Sequence, residues 1–220
     1  MPFPRSIRFA IAPLGAVLAL ALPPDLPAQA ACLPVSERNV ELGCWIIATA
    51  TLGELPPDPV YWHLDTFPTR SSAEGAKSAR GVVTESFGRV WLLTIAERGW
   101  RPNGGAQVAE IGPLPRPAGE TFAVQYMEAV FEPGMTSRVH RHSGPEAWYT
   151  VSGTICLETP EGARFGEAGG DPVIVPGGVP MQLTAVGSAT RRSLVLILHD
   201  ASQHASTLVS DWTPAGLCEE

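Results

Sequence analysis

Short apolar runs follow one another along most of the chain, and glycine or proline ends nearly every one of them. Runs of this length that are rich in Val, Ile, Thr and aromatic residues predict β-strands. In the first half they predict strands over residues 41–52, 60–67, 82–85, 90–97 and 108–111. In the second half they predict strands over residues 122–131, 147–151, 154–157, 173–175, 181–185 and 191–199. The pattern therefore predicts an all-β protein, built as a sandwich, jelly roll or barrel.

Two segments add detail to this picture. Residues 69–80 are rich in alanine and follow Pro68, which predicts one short helix, although Gly75 is unfavourable inside it. Residues 191–199 contain an unbroken apolar run, Leu194–Leu198, so neither face of that strand is polar. We expect this strand to be buried on both faces.

The first thirty residues have the layout of a secretory signal peptide. Arg5 and Arg8 precede an apolar run over residues 9–22, and Ala28-Gln29-Ala30 supplies a cleavage site. A membrane anchor or a buried helix is the alternative, although the run is shorter than the ~20 residues that a spanning helix needs. Cys32 also fits a lipoprotein, but Gln29 stands where that signal usually has leucine. We expect a secreted or periplasmic protein without membrane contact after cleavage.

Composition narrows the possibilities further. Gly and Pro contribute 22 residues each, well above the average of about 7% and 5%, which favours turns and argues against a helical bundle. The net charge is −7, so the chain has no basic surface typical of nucleic-acid binding. The glycine-rich motifs that bind phosphate groups are also missing from the sequence.

Four cysteines follow the predicted cleavage site: Cys32, Cys44, Cys156 and Cys218. An even number in an oxidising compartment predicts two disulfides, and the three ways of pairing them stay open. Four buried free thiols are the alternative.

The strongest chemical signal is the pair His140 and His142, followed by Glu146. On a strand the two histidines point to the same face, because side chains alternate with a period of two. Glu146 follows after a short turn and can supply an oxygen ligand from the neighbouring strand. Two histidines and one carboxylate are the ligands of many reactive metal sites. Gly134 and Gly153 lie on either side of the unit, where tight turns are needed.

These five residues match every fixed position of the pattern G-x5-H-x-H-x3-E-x6-G, and the chain thereby resembles the cupin family. The resemblance implies a small jelly-roll β-barrel with one divalent transition metal inside it. The family metals are iron, manganese, nickel, zinc and copper. It also implies a homodimer formed through sheet edges.

The second cupin pattern, G-x5-P-x-G-x2-H-x3-N, is only partly present. Gly170, Pro176 and Gly178 fit it, but Met181 stands at the histidine position and Ala185 at the asparagine position. Met181 is therefore either core packing or a fourth ligand whose thioether favours copper.

Three further side chains are candidates for the lining of the pocket. Trp148 lies two residues after Glu146, so both side chains point to the same face of their strand. Tyr126 and Glu128 share a face of the preceding strand for the same reason. If that face is inward, Glu128 is a candidate general base. The alternative for the aromatic residues is that they fill the barrel interior.

These observations divide the chain into a signal peptide (1–30), a β-rich extension or degenerate second barrel (31–119), a cupin barrel (120–205) and a tail (206–220). The predicted function is binding or conversion of a small oxygenated molecule at the metal. Two classes stay open. One is an oxygenase, isomerase or decarboxylase, and the other is a non-catalytic binding module that has lost its metal.

Overall fold

The computed structural model describes Met1 and residues 32–218. The predicted signal peptide lies outside the described residues, apart from Met1. The strands, in chain order, are β1 Leu33–Pro34, β2 Gly43–Gly53, β3 Val60–Phe67, β4 Gly81–Ser86, β5 Arg89–Glu97, β6 Ala106–Ile111, β7 Phe122–Phe131, β8 His140–His142, β9 Glu146–Ser152, β10 Thr154–Thr159, β11 Gly162–Glu167, β12 Val173–Val175, β13 Gln182–Val186, β14 Arg191–Asp200 and β15 Ser206–Leu208. A 3-10 turn at Val35–Glu37 and the helix α1, Arg70–Ala76, complete the described elements, so the all-β prediction is confirmed.

Every predicted strand is present, with bounds that differ by a few residues. The apolar runs missed β1, β8, β11 and β15, although the histidine motif itself was placed on a strand. β11 has the sequence Gly-Ala-Arg-Phe-Gly-Glu and is largely exposed, so it lacks an apolar run, while β1 and β15 are only two and three residues long. These strands exist because a neighbouring strand offers unpaired backbone groups, which a sequence pattern does not reveal.

The helix is shorter than the predicted 69–80. It begins after Thr69, whose Oγ1 accepts a hydrogen bond from the backbone N–H of Ser72 (3.1 Å), and it ends at Ala76. Thr69 therefore acts as the helix N-cap. Gly75 lies one residue before the helix ends, where its low helix propensity opposes further extension.

Replacing Gly75 with alanine is expected to stabilise the protein by about 0.5–1 kcal/mol. A Cβ at this position would meet nothing within 4 Å, so the gain in helix propensity comes without a clash. Urea unfolding of the Gly75→Ala variant tests this. Gly88→Ala is the matched control, because its added Cβ also meets nothing but its φ of 70° strains a side chain. The control should be destabilised, and a Gly75→Ala variant no more stable than the natural chain would contradict the prediction.

The strands form three stacked layers. The central sheet has six strands in the order β1-β2-β7-β14-β9-β12. On one of its faces lies a four-stranded sheet, β4-β5-β3-β6, and on the other lie a three-stranded sheet, β11-β10-β13, and the strand pair β15-β8. One apolar core fills each of the two interfaces.

Strand β14 lies in the middle of this stack. Leu194, Leu196 and Leu198 pack in the core that includes Trp62 of the four-stranded sheet. Val195 and Ile197 pack in the other core, on the side of the three-stranded sheet. The prediction that this strand is buried on both faces is confirmed.

The extension and the predicted barrel share the central sheet, because β2 pairs with β7 along almost its whole length, from Gly43 opposite Val130 to Gly53 opposite Phe122. Strands β3 to β6 instead form the separate four-stranded sheet. The division of the chain at residue 120 stays a prediction.

Two disulfides are present, Cys32–Cys44 and Cys156–Cys218, which confirms the predicted number and selects one of the three pairings. Disulfides of this kind are typical of proteins in an oxidising, extracytoplasmic environment. Within residues 32–218, no helix has the length and apolar character that crossing a bilayer would need.

Candidate metal centre

The structure brings His140, His142 and Glu146 together. The two histidines are the ends of β8, and Glu146 is the first residue of β9. A ligand atom from each of the three lies within 4.8 Å of the others, and each residue is only 2% exposed. The three potential ligand atoms therefore converge inside the protein, as the spacing of the motif predicts.

The loop between His142 and Glu146 fixes this geometry. The carbonyl of His142 accepts a hydrogen bond from Gly178 N–H (2.7 Å), and the carbonyl of Pro145 accepts one from Leu198 N–H (3.0 Å). Gly144 lies so close to β14 that a Cβ there would be 1.9 Å from the carbonyl oxygen of Leu198. The loop is thus held directly against the backbone of the central sheet.

Backbone carbonyls orient both imidazole rings. The Nδ1 of His140 is 2.7 Å from the carbonyl oxygen of Arg138, and the Nδ1 of His142 is 3.1 Å from that of Ala205. A carbonyl can only accept, so each Nδ1 carries the proton and each Nε2 keeps its lone pair. This is the arrangement commonly seen in histidines that bind a metal through Nε2.

The atoms facing the centre have no other partner. The Nε2 of His142 lies 3.3 Å from Oε2 of Glu146, and both atoms are buried without a hydrogen bond from the described residues. Leaving such atoms unsatisfied costs free energy, which a bound cation would offset. The donor set fits a divalent transition metal.

The environment favours the neutral form of His140. Burial lowers the pKa of His140 and the positive charge that His142 can carry lowers it further, while the carboxylate of Glu146 and the hydrogen bond to the carbonyl of Arg138 oppose both effects. Only the neutral imidazole has a free lone pair for a metal.

A cavity of about 230 Å³ adjoins the three residues. Apolar side chains supply much of its wall, among them Met127, Ala129, Phe131, Leu183 and Val195. Trp148 also lines the cavity, on the side expected from its parity with Glu146.

The pocket prediction for Tyr126 and Glu128 is wrong. Both side chains lie on the opposite face of β7, since Met127 and Ala129 are the residues that face the cavity. Tyr126 packs against Trp62, with ring centroids 6.0 Å apart. Glu128 accepts hydrogen bonds from Arg38 Nη1 (2.7 Å) and Ser86 Oγ (2.5 Å), so it links the central sheet to the extension and cannot act as a base at the centre.

Met181 lies next to His140. The two residues exchange backbone hydrogen bonds of 2.8 and 3.1 Å, and residues paired in this way direct their side chains to the same face. Met181 is fully buried and belongs to the apolar core with Leu157 and Leu183. Its surroundings agree with core packing, and a role as fourth ligand stays a prediction.

Arg191 is the residue of this site that sequence reasoning missed. It lines the cavity from the start of β14 and is 1% exposed. The one available signal in the sequence was that Arg191 is separated from Val195 and Ile197 by even numbers of residues, so it is expected on the same face of this strand.

The whole motif now has a place in the fold. The histidines and the glutamate stand where strands β8 and β9 meet, inside a stack of β-sheets. Gly153, which ends the motif, has a φ of 70° in the turn to β10, and a Cβ there would lie 2.8 Å from the Cα of Arg191. This arrangement agrees with the cupin pattern that the sequence resembles.

No family model and no curated protein matches the chain. Among solved structures, part of this chain is similar to a cupin-like protein from Thermotoga maritima (21% identity, 41% of this chain and 67% of that chain, TM-score 0.36). It is also similar to an RmlC-like cupin family protein from Methanocaldococcus jannaschii (20%, 33% and 67%, TM-score 0.31). A third similar structure is the DMSP lyase DddQ from Ruegeria pomeroyi (20%, 39% and 43%, TM-score 0.34). The chain spans less than half of the lyase, and what these neighbours act on is a property of those proteins.

Proposed function

We propose that this chain is an exported cupin-like protein that holds one divalent transition metal through His140, His142 and Glu146. The observation that carries the proposal is the pair of buried, unpartnered atoms, Nε2 of His142 and Oε2 of Glu146, 3.3 Å apart. Two acceptor atoms that face each other in a dry site repel unless a proton or a cation lies between them. A metal ion satisfies both atoms and the free lone pair of His140.

The bound metal would polarise an oxygen atom of a small molecule in the adjoining cavity. The protein's own residues supply the rest of the function. The carbonyls of Arg138 and Ala205 hold the two rings in one orientation, and the apolar wall limits the access of water. The proposed activity is binding or conversion of a small oxygenated molecule, with oxygenase, isomerase or decarboxylase chemistry as the enzymatic classes. The two disulfides support export, and a homodimer through sheet edges stays a prediction.

A non-catalytic binding module without metal is the second candidate. It is favoured by Met181, which fills the position of the missing fourth ligand and packs in the apolar core. A catalytic metal site nevertheless often has only three protein ligands, because this leaves one coordination position of the metal open for water or substrate. The two candidates differ in metal content, so one measurement separates them.

The purified chain, prepared without a histidine tag, is expected to contain about one transition-metal ion per molecule. The His140→Ala/His142→Ala variant should contain less than about a tenth of that, because it keeps only one of the three ligands. Elemental analysis by plasma mass spectrometry provides the measurement. His204→Ala is the control, since this exposed histidine lies outside the site and should leave the metal content unchanged. Equal, near-zero metal in the natural chain and the double variant would contradict the proposal.

A further inference from the structure

Arg191 carries a buried charge that no carboxylate of the described residues contacts directly, and the carboxylate of Glu146 attracts it only from a longer distance. The residue is 1% exposed, and its Nε and Nη2 atoms make no hydrogen bond to the described residues. No carboxylate in the described part of the chain lies within 4.0 Å of its guanidinium. A buried cation is ordinarily paired, because its removal from water is otherwise uncompensated. Arg191 therefore suggests a counter-ion that does not belong to the protein.

The side chain of Arg191 is held in the cavity of the candidate metal centre. It lines this cavity together with His140 and Glu146. The Cζ atom of Arg191 lies 5.5 Å from the ring centroid of Phe131, within the range of a cation–π contact. The neighbouring Arg192 behaves differently, because it points away from the cavity and pairs with Glu41 on the surface at 2.7 Å.

A second donor has the same property. Trp148 lines the cavity, is 1% exposed, and its Nε1–H has no hydrogen-bond partner among residues 32–218. A buried tryptophan normally finds an acceptor for this group. Arg191 and Trp148 thus leave unused donors in one cavity, and both would be satisfied by an acceptor-rich molecule.

The charges of the lining favour an anion. The charged residues that line the cavity are Arg191, Arg138 at the exposed rim, and Glu146. A divalent metal held by Glu146 adds further positive charge, so the loaded cavity carries an excess that one carboxylate cannot balance. An anionic ligand would reduce this excess.

We propose that the cavity binds a small organic carboxylate, with Arg191 as its anchor and Trp148 as a second donor. This proposal rests on the proposed function and names its ligand class. The planar guanidinium presents paired N–H donors that match the two oxygens of a carboxylate. The cavity of about 230 Å³ is smaller than the sites of drug-sized ligands, and its apolar wall suits a short carbon chain.

The test measures binding of acetate and malonate by isothermal titration calorimetry, with acetamide as the neutral comparison and inorganic phosphate as the alternative anion. Acetate or malonate should bind the natural chain and acetamide should not. Arg191→Met should weaken binding by about 10-fold or more. Methionine keeps an unbranched side chain but removes the charge and the hydrogen-bond donors of the guanidinium. Arg192→Met is the matched control on the same strand and should leave binding unchanged.

The thermal stability of the Arg191→Met variant provides a second readout. If Arg191 had only a structural role, its loss would lower the melting temperature. Arg191→Met removes an unpaired buried charge, so its melting temperature should equal or exceed that of the natural chain. Trp148→Phe keeps an aromatic side chain, although a smaller one, and removes the N–H, and it should weaken binding by about 5-fold. This variant tests the proposal independently if Arg191→Met folds poorly.

The metal content of the same preparations separates this proposal from the proposed function. Metal present with no carboxylate binding overturns the anchor and leaves the metal site standing. Carboxylate binding that depends on Arg191 in a metal-free chain supports the anchor and overturns the metal site. Phosphate binding tighter than either carboxylate, or equal losses in Arg191→Met and Arg192→Met, overturns the anchor.

Discussion

Replacing Gly144 with alanine is expected to destabilise the protein by about 3 kcal/mol or more, at the upper end of what overpacking costs. The added Cβ would lie 1.9 Å from the carbonyl oxygen of Leu198 and 3.0 Å from the Cα of His199. Both atoms belong to the backbone of β14, so no side chain can rotate away to make room. On its other side, Gly144 is backed by Gly177, whose own Cβ would come within 2.7 Å of the Cα of Gly144.

The same substitution should weaken metal binding by about 10- to 100-fold, the usual effect of disturbing the groups that orient a ligand. Gly144 lies midway between His142 and Glu146, so a loop pushed away from β14 moves both ligands. Urea unfolding and metal titration of the Gly144→Ala variant are the measurements. Gly170→Ala is the matched control, because its Cβ would meet only ordinary contacts, the nearest at 3.4 Å. A Gly144→Ala variant as stable as Gly170→Ala would show that the loop is not held as the structure indicates.

The alternation of side chains along the strands predicted the position of the metal ligands well, because those positions depend on residues close together in the sequence. β-Branched and apolar runs identify the strands, and the period of two places His140 and His142 on one face. The convergence of these histidines with Glu146 follows from a single turn between two consecutive strands of the chain. A short-range pattern is sufficient for all of this.

The faces of β7 could not be assigned in the same way. Its sequence, residues 122–131, is mostly apolar on both sides because β7 lies between two cores. Parity therefore related Tyr126 to Glu128 but did not say which face met the cavity. The partners of Glu128, Arg38 and Ser86, are distant in sequence, and only the tertiary fold brings them together.

Arg191 was missed for a similar reason. The pair Arg191-Arg192 at the start of a strand resembles an exposed strand end. Parity groups Arg191 with Val195 and Ile197, but both faces of this strand are apolar, so parity alone does not show which arginine is buried. The stacking of sheets buries Arg191 and leaves Arg192 near the surface. Residues whose role depends on long-range burial are thus the ones that the pattern hides.

Removal of the Cys156–Cys218 disulfide is the second change with a large expected effect. Its cysteines are 62 residues apart, against 12 for Cys32 and Cys44. A cross-link that closes a longer loop removes more entropy from the unfolded chain. The chain-entropy model gives about 4 kcal/mol for the long loop and about 3 kcal/mol for the short one.

The Cys156→Ala/Cys218→Ala variant should therefore lose about 4 kcal/mol in free energy of unfolding, measured in urea at fixed temperature. Cys32→Ala/Cys44→Ala is the control and should lose about 1 kcal/mol less. An equal or larger loss in the control would contradict the explanation by loop length.

The long disulfide also bears on the metal centre, because it fixes the C-terminal tail that holds His142. The carbonyl of Ala205 and the Oγ of Ser206 contact Nδ1 of this ring, and β15 pairs with β8 directly beyond them. Near the disulfide, the buried carboxylate of Glu158 accepts hydrogen bonds from the backbone N–H groups of Ala215 and Leu217. Loss of the cross-link should loosen the tail and weaken metal binding several-fold, which is less than the loss of about 10- to 100-fold that follows when an orienting group is removed outright. Unchanged metal affinity in the Cys156→Ala/Cys218→Ala variant would show that β15 holds His142 without help from the disulfide.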